Sequence, residues 1–363
     1  MDKNENIELL RLIAMVMVLI LHIVASGGLL DACVAGTGSY YMTWFLRIAA
    51  YSAVDIFVLV SGYVGVNSKS YLSGIINLWL IVEFYSVIPM IIYLAIGGTV
   101  EKMLFIKAFL PVLSREFWFF TCYIVLMLFK PILNSFVNTK GVYAINAIVC
   151  CTILIQIAGV IASDTMEISG GHSIIWFLVL YLIGAYLSVT HCGDKVSKWI
   201  AKHWLWIYIV SVGITFASLV LIENSNMYFL TGVNGGTLLF NLVSPTVVLA
   251  AISIFLGVHD IKMNEGTKRT ILFLSSNVFA VYLLHINYIC FKNLWDGSFV
   301  WMAGLPVWLI PIVVICIAIV LCVGGCLVDK MRAFIFQKTH LNRIGKLIES
   351  FFAKIVNKFC IVD

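Results

Sequence analysis

Two side chains in the first apolar stretch could do chemistry together. Arg11 and His22 lie eleven residues apart, close to three turns of an α-helix. At about 100° and 1.5 Å per residue they point the same way, roughly 16 Å apart along the axis. An imidazole titrates near neutrality and suits proton transfer. A guanidinium suits phosphate. Each also has a structural reading: Arg11 as an anchor snorkelling to a membrane surface, His22 as a core histidine bonded to a neighbouring helix. On one stripe they outline a path across a membrane.

The second apolar stretch runs back with Arg47, Asp55 and Ser61-Gly62. Matched antiparallel depths put Ser61 and Gly62 level with Arg11, Arg47 near His22, and Asp55 between. Glu83 in the third stretch falls at the depth of Asp55. Buried carboxylates need partners, and Arg47 is the expected one. An ion-pair network joining three helices is the alternative to direct chemistry. His285, just after Tyr282, reaches the depth of His22. Trp118 and Glu116 open the fourth stretch, and His172 and Trp176 open the sixth. Aromatic walls, histidines and an arginine suit a hydroxyl-rich ligand, although tryptophans are common at any membrane interface.

Composition says what must position these groups. Of 363 residues, 62% are hydrophobic and only 11% charged. Soluble domains carry about a quarter charged residues. The chain therefore reads as an all-α, polytopic membrane helix bundle. Spans need about 20 apolar residues. Ten stretches are predicted, at 7–29, 41–66, 72–97, 116–136, 142–163, 173–190, 203–222, 236–258, 270–292 and 303–328. Lys and Arg gather in alternate connections and in the tail, which predicts both termini on the cytoplasmic side. The loop 98–115 departs from that pattern and is expected to fold back as a small lid. Beyond a membrane domain over 1–330, residues 331–363 form a basic tail. In it Ile344, Leu347, Ile348, Phe351, Phe352 and Ile355 repeat at helical spacing, with Arg343, Lys346 and Lys354 on other faces. This predicts an amphipathic helix on the cytoplasmic leaflet, with membrane lipid as its partner. The cysteines lie mostly in apolar runs and form no disulfide or zinc pattern. The net charge of +5 is modest, and no nucleic-acid partner is expected.

Several segments then resemble one family in order along the chain. Ile7-Glu8-Leu9-Leu10-Arg11 with Leu21-His22 resembles the first-span signature of the acyltransferase-3 family of multi-pass membrane acyltransferases. Asp55 through Ser61-Gly62-Tyr63 looks like its second-span motif. Phe117-Trp118-Phe119 with Lys130-Pro131 and Asn134, Trp176-Phe177 with Gly184 and Tyr186, and Val281-Tyr282 with His285 are similar to its later motifs. The resemblance implies a cell-membrane enzyme, of bacterial type, that moves an acyl group, usually acetyl, to a hydroxyl of a surface or lipid-linked carbohydrate. The donor would be cytoplasmic acyl-CoA, used as a co-substrate, with no permanently bound cofactor. His22 and Arg11 would be the essential pair, with Asp55, Ser61, Gly62, Arg47, Glu83, Trp118, Trp176, Tyr282 and His285 around the substrates. Arg11 and Lys69 would hold CoA. The basic cluster common after the family's second span is reduced here to Lys69. The rival class is a carrier that uses the same polar path without acyl transfer.

Overall fold

A computed structural model describes residues 4–68, 72–114, 116–161, 168–225 and 238–359. The described chain is built from helices, and no strand occurs among these residues. α1 (Glu5–Val24) starts where the Asn4 side chain accepts the Asn6 and Ile7 amides. A short α2 (Leu29–Ala32) follows. α3 (Gly38–Ala50) and α4 (Ala53–Gly65) run almost end to end, α5 (Leu72–Ala95) returns, and α6 (Lys102–Ala108) is a small connecting helix. Next come α7 (Trp118–Ile161), α8 (Ile174–Val189), α9 (Lys195–Asn224) and α10 (Pro245–His259). α11 (Glu265–Ser275), α12 (Val278–Ile286), a single turn α13 (Tyr288–Cys290), α14 (Leu309–Lys338) and α15 (Ile344–Phe359) complete the order.

The hydropathy pattern divides these helices into an inner and an outer set. α1 packs against α3, α4, α10, α11, α12 and α14, and most of its residues are buried. α9 and α14 instead turn Trp206, Leu221, Ile312 and Val320 outward, each more than half exposed. Such surfaces suit hydrocarbon and not water.

The expected ten spans are not reached by length. Among the described residues six segments are long and apolar enough to cross a membrane: Glu5–Ala32, Gly38–Gly65, Leu72–Ala95, Trp118–Asn138, Lys195–Asn224 and Leu309–Lys338. α11 and α12 together would make a seventh, bent by 42°. α8 and α10 have 16 and 15 residues, short of the roughly 20 that a bilayer requires. Residues 118–136 and 142–161, most of the fourth and fifth predicted stretches, lie in the single helix α7, which continues without a break between them. The predicted stretch 270–292 is broken twice. At the first break Asn277 donates to the Cys326 carbonyl at 3.2 Å and the Ser276 hydroxyl bonds back to Phe273. Side chains that bond to backbone in this way compete with the helical ladder.

Two connections between helices fix the frame. Tyr85 on α5 donates to buried Asp329 on α14 at 2.7 Å, and Arg332 closes on both oxygens of that carboxylate at 2.6 and 2.7 Å. α4 and α8 cross almost backbone to backbone. A Cβ on Gly62 would lie 2.1 Å from the Tyr181 carbonyl oxygen, and one on Gly184 would lie 2.1 Å from that of Leu59. The small residues let two helices approach where lipid offers no hydrophobic drive between them. On the same crossing the Trp176 indole donates to Asp55 at 3.2 Å.

Residues 98–114 do fold back, with Ala108 packed against Met90 and Ile289. They cover α13, not the central cavity described below. α14 continues through position 330, the expected end of the membrane domain, to Lys338. α15 rests on the beginning of α5, with Gly345 against Ser73 and Asn77, and leaves Leu347, Phe351 and Phe352 exposed.

Gly62→Ala is expected to force α4 and α8 apart and cost about 1–3 kcal/mol. Gly74→Ala, where no heavy atom lies within 4 Å, serves as the control and should not lower the melting temperature in detergent. Trp176→Phe should cost a similar 1–3 kcal/mol, roughly the penalty of a buried acceptor left without its donor. Asp55→Leu in the Trp176→Phe background should recover part of that loss in the same melting assay.

Candidate active site

The turns of α1 bring Glu8, Arg11, Met15, Val18 and His22, and the turn just after it Ser26, to one wall of a cavity of about 620 Å³. These positions advance by three or four residues, so the wall is one helical stripe. Arg11 and His22 thus share a side, as their spacing predicts, and stand towards opposite ends of the stripe. α3 and α4 supply the facing wall with Arg47, Tyr51, Val54, Phe57 and Ser61. α7 contributes Trp118, Phe119 and Tyr123. The α11–α12 break contributes Ser275, Ser276 and Tyr282, and His172 and Leu242 come from the connections.

At the Arg11 end the guanidinium meets the Glu8 carboxylate at 2.5 Å through Nη1. Its side chain stays 33% exposed, so the remaining N–H groups of the fork can meet a ligand. At the other end His22 meets His285, ring centroids 4.9 Å apart and edge to face. His285 Nδ1 lies 2.7 Å from the Val281 carbonyl oxygen. A carbonyl only accepts, so Nδ1 carries the proton and Nε2 presents a lone pair. That Nε2 is buried and has no partner among the described residues. Trp295 holds the backbone here by donating to the His22 carbonyl at 3.1 Å, with its ring 5.4 Å from His285. The Ser26 hydroxyl is 3.5 Å from His22 Nδ1. Trp118 packs against His172, centroids 4.7 Å apart.

Other expected site residues stand elsewhere. Gly62 faces α8 and is a packing position, since no substrate fits where a Cβ does not. Asp55 is fully buried on the same face. Its partner is Trp176, not Arg47, and its second oxygen is without a partner among the described residues. Trp176 is itself wholly buried and lies behind the cavity wall. Arg47 instead stacks over Trp44 and Phe240, 4.9 and 5.0 Å from the ring centroids, while its side chain reaches the cavity. Aromatic faces satisfy a guanidinium without a carboxylate. Glu83 sits on α5 and, like Asp55, does not line the cavity. Ser61 and Tyr282 line the cavity as expected, and His285 stands directly behind His22. Lys69 lies outside the described residues.

Sequence reasoning passed over Glu8 and Ser26, although their spacing of three from Arg11 and four from His22 marks them as neighbours on one helix face. Trp295 and Phe240 carried no such signal, because only the tertiary fold brings them to residues so distant in the chain. Among the described residues no group of three His, Cys, Asp or Glu side chains is arranged to hold a metal ion.

The arrangement offers a lone pair on one imidazole, a second imidazole against it, and a partly open guanidinium at the other end of the same cavity. Such groups can exchange a proton at one end and hold an anion at the other. No curated protein and no solved structure matches the chain. The family model described as an acyltransferase domain matches residues 4–328, nearly the whole of it. The chain therefore belongs to the acyltransferase-3 family and is a multi-pass membrane acyltransferase.

Proposed function

We propose that this enzyme moves an acyl group, acetyl in the simplest case, from acyl-CoA at the Arg11 end of the cavity to a carbohydrate hydroxyl at the His22 end. The observation that carries this reading is that one continuous cavity touches both side chains. Thioester and acceptor can then approach from opposite sides of a membrane without the activated acyl group meeting bulk water. In this reading both termini are cytoplasmic, Arg11 faces the cytoplasm, and α15 lies on the inner leaflet against anionic lipid. The acceptor is a surface polysaccharide or a lipid-linked precursor.

His22 takes the proton from the acceptor hydroxyl as its oxygen attacks the thioester carbonyl. The tetrahedral intermediate collapses by breaking the carbon–sulfur bond, and the imidazolium returns the proton to the departing CoA sulfur. His285 keeps a free lone pair beside the imidazole that carries the proton, and so stabilises the cation. Arg11 binds CoA phosphate with the N–H groups that Glu8 leaves free. The serine and aromatic walls hold the sugar ring, with Arg47, Trp118 and Tyr282 closest to its path. A transient acyl-imidazole at His22 is the other route this geometry permits, and it needs the same residue.

The test uses purified protein in lipid nanodiscs, labelled acetyl-CoA, and the deacylated glycan of the cells that make the enzyme. His22→Ala should lower kcat by about 10²–10⁴-fold. Arg11→Ala should raise the KM for acetyl-CoA by about 10- to 100-fold, the loss of one charge-assisted contact, with a smaller effect on kcat. Undiminished transfer by both variants at equal abundance overturns the proposal.

A further inference from the structure

A second cavity, of about 690 Å³, lies between α6 and the turns that follow α12. Ile286 lines both cavities. Two chain segments pass from one to the other. Trp118 borders the first cavity and Glu116 the second, and Tyr282 borders the first where Tyr288 borders the second. The two volumes therefore adjoin at the His22 end, away from Arg11.

The second wall is rich in groups that bind sugars. Tyr93 and Tyr288 present aromatic rings, whose faces suit the C–H face of a pyranose. Asn293 and Thr99 offer an amide and a hydroxyl, and Lys292 holds its ammonium 5.9 Å from the Tyr288 ring centroid. The Glu116 carboxylate is fixed in place, accepting from the Tyr288 amide and from the Ser86 hydroxyl, each at 3.4 Å. A few fixed polar groups among rings give orientation to a ligand that the apolar surface only holds. An acceptor of a single sugar would end at His22 and leave this volume to water. A strand of sugars would continue into it.

We propose that the second cavity binds the saccharide unit next to the one acylated, so that the enzyme selects oligomeric over monomeric carbohydrate; this rests on the reading of the acceptor as a carbohydrate. The cavity acts on KM for the acceptor and leaves the chemistry to His22. Lys292 and Asn293 are exposed, and Tyr288 is 44% exposed, so their removal leaves the packed bundle intact.

Deacylated glycan from the producing cells, cut by partial hydrolysis and separated into fractions of one to about five sugars, provides the probe. With the wild-type enzyme the acceptor KM should fall about tenfold between the single sugar and the longer fractions, the equivalent of about 1.4 kcal/mol. In a Tyr288→Ala/Asn293→Ala variant, shown to be folded by its melting curve, that length dependence should shrink to less than about threefold. Transfer with a KM independent of length, or a full length dependence retained by the variant, overturns the second subsite alone. Label that reaches no fraction at all, while acetyl-CoA is still consumed, overturns the carbohydrate reading.

Discussion

A polar side chain inside a bilayer must be satisfied or enclosed by protein, and α1 has to meet that condition along most of its length. It carries Glu8, Arg11 and His22, none of which hydrocarbon tolerates unaided. The bundle meets the condition by surrounding α1 with other helices, α3, α4, α10, α11, α12 and α14 among them. The face that these helices do not fill is the cavity face, and the ionisable groups sit on it. Enclosure and site are thus one arrangement. The outer helices carry lipid-facing apolar surface and no part of the Arg11–His22 stripe.

α4 shows how a single helix serves two demands at once. Val54, Phe57 and Ser61 advance by three and four residues and line the cavity. Asp55, Leu59 and Gly62 advance by four and three on a neighbouring face and meet α8. The second set sets the depth and rotation of the helix. Glycine contacts too close for any Cβ allow little sliding, and the Trp176 indole holds the buried carboxylate in one place. Asp55 lies off the cavity lining, and its bond to Trp176 ties α4, which presents Phe57 and Ser61, to α8. A carboxyl group within an apolar span invites a catalytic reading; here its described partner is the neutral N–H donor of Trp176.

Much of this was legible in the sequence. Composition alone specifies helices in a membrane, and the eleven-residue spacing of Arg11 and His22 specifies a shared side, because helical geometry is local and repeats without exception along an unbroken helix. The ordered motifs identify the family. What was not legible depends on partners far apart in the chain. Depth matching placed Asp55, Arg47 and Glu83 together, but depth fixes one coordinate out of three, and rotation about each helix axis decides who meets whom. Arg47 turns to Phe240 and Asp55 to Trp176, and no spacing in the sequence predicts either. The count of ten spans is not confirmed, for a related reason: six segments among the described residues have both the length and the apolarity. Hydropathy records that a segment is apolar, whereas crossing also requires length, and α8 and α10 are apolar but have only 16 and 15 residues.

The break between α11 and α12 bears on whether the cavity belongs to an enzyme or a carrier. Broken helices at a polar site are a feature of carriers, where unwound backbone lines the path and one half of the protein rocks against the other. Here Ser275 and Ser276 do line the cavity at the break. The surrounding bonds, however, tie the broken segment on both sides. Asn277 is bonded to the Cys326 carbonyl of α14, and Asn287 donates to the Tyr85 carbonyl of α5 at 3.1 Å while accepting the Ile289 and Cys290 amides. α5 and α14 are in turn locked to each other through Tyr85, Asp329 and Arg332. Moving the α12 segment as a gate would break buried hydrogen bonds to two helices that are themselves joined, each at a cost of about 1–3 kcal/mol if left unpaired. A rigid frame of this kind gains nothing for transport. It is what proton transfer requires, because an imidazole can act on a hydroxyl only if the two are held within hydrogen-bond reach. The break starts α12 afresh at Val278, and α12 then ends at Ile286, which lines both cavities.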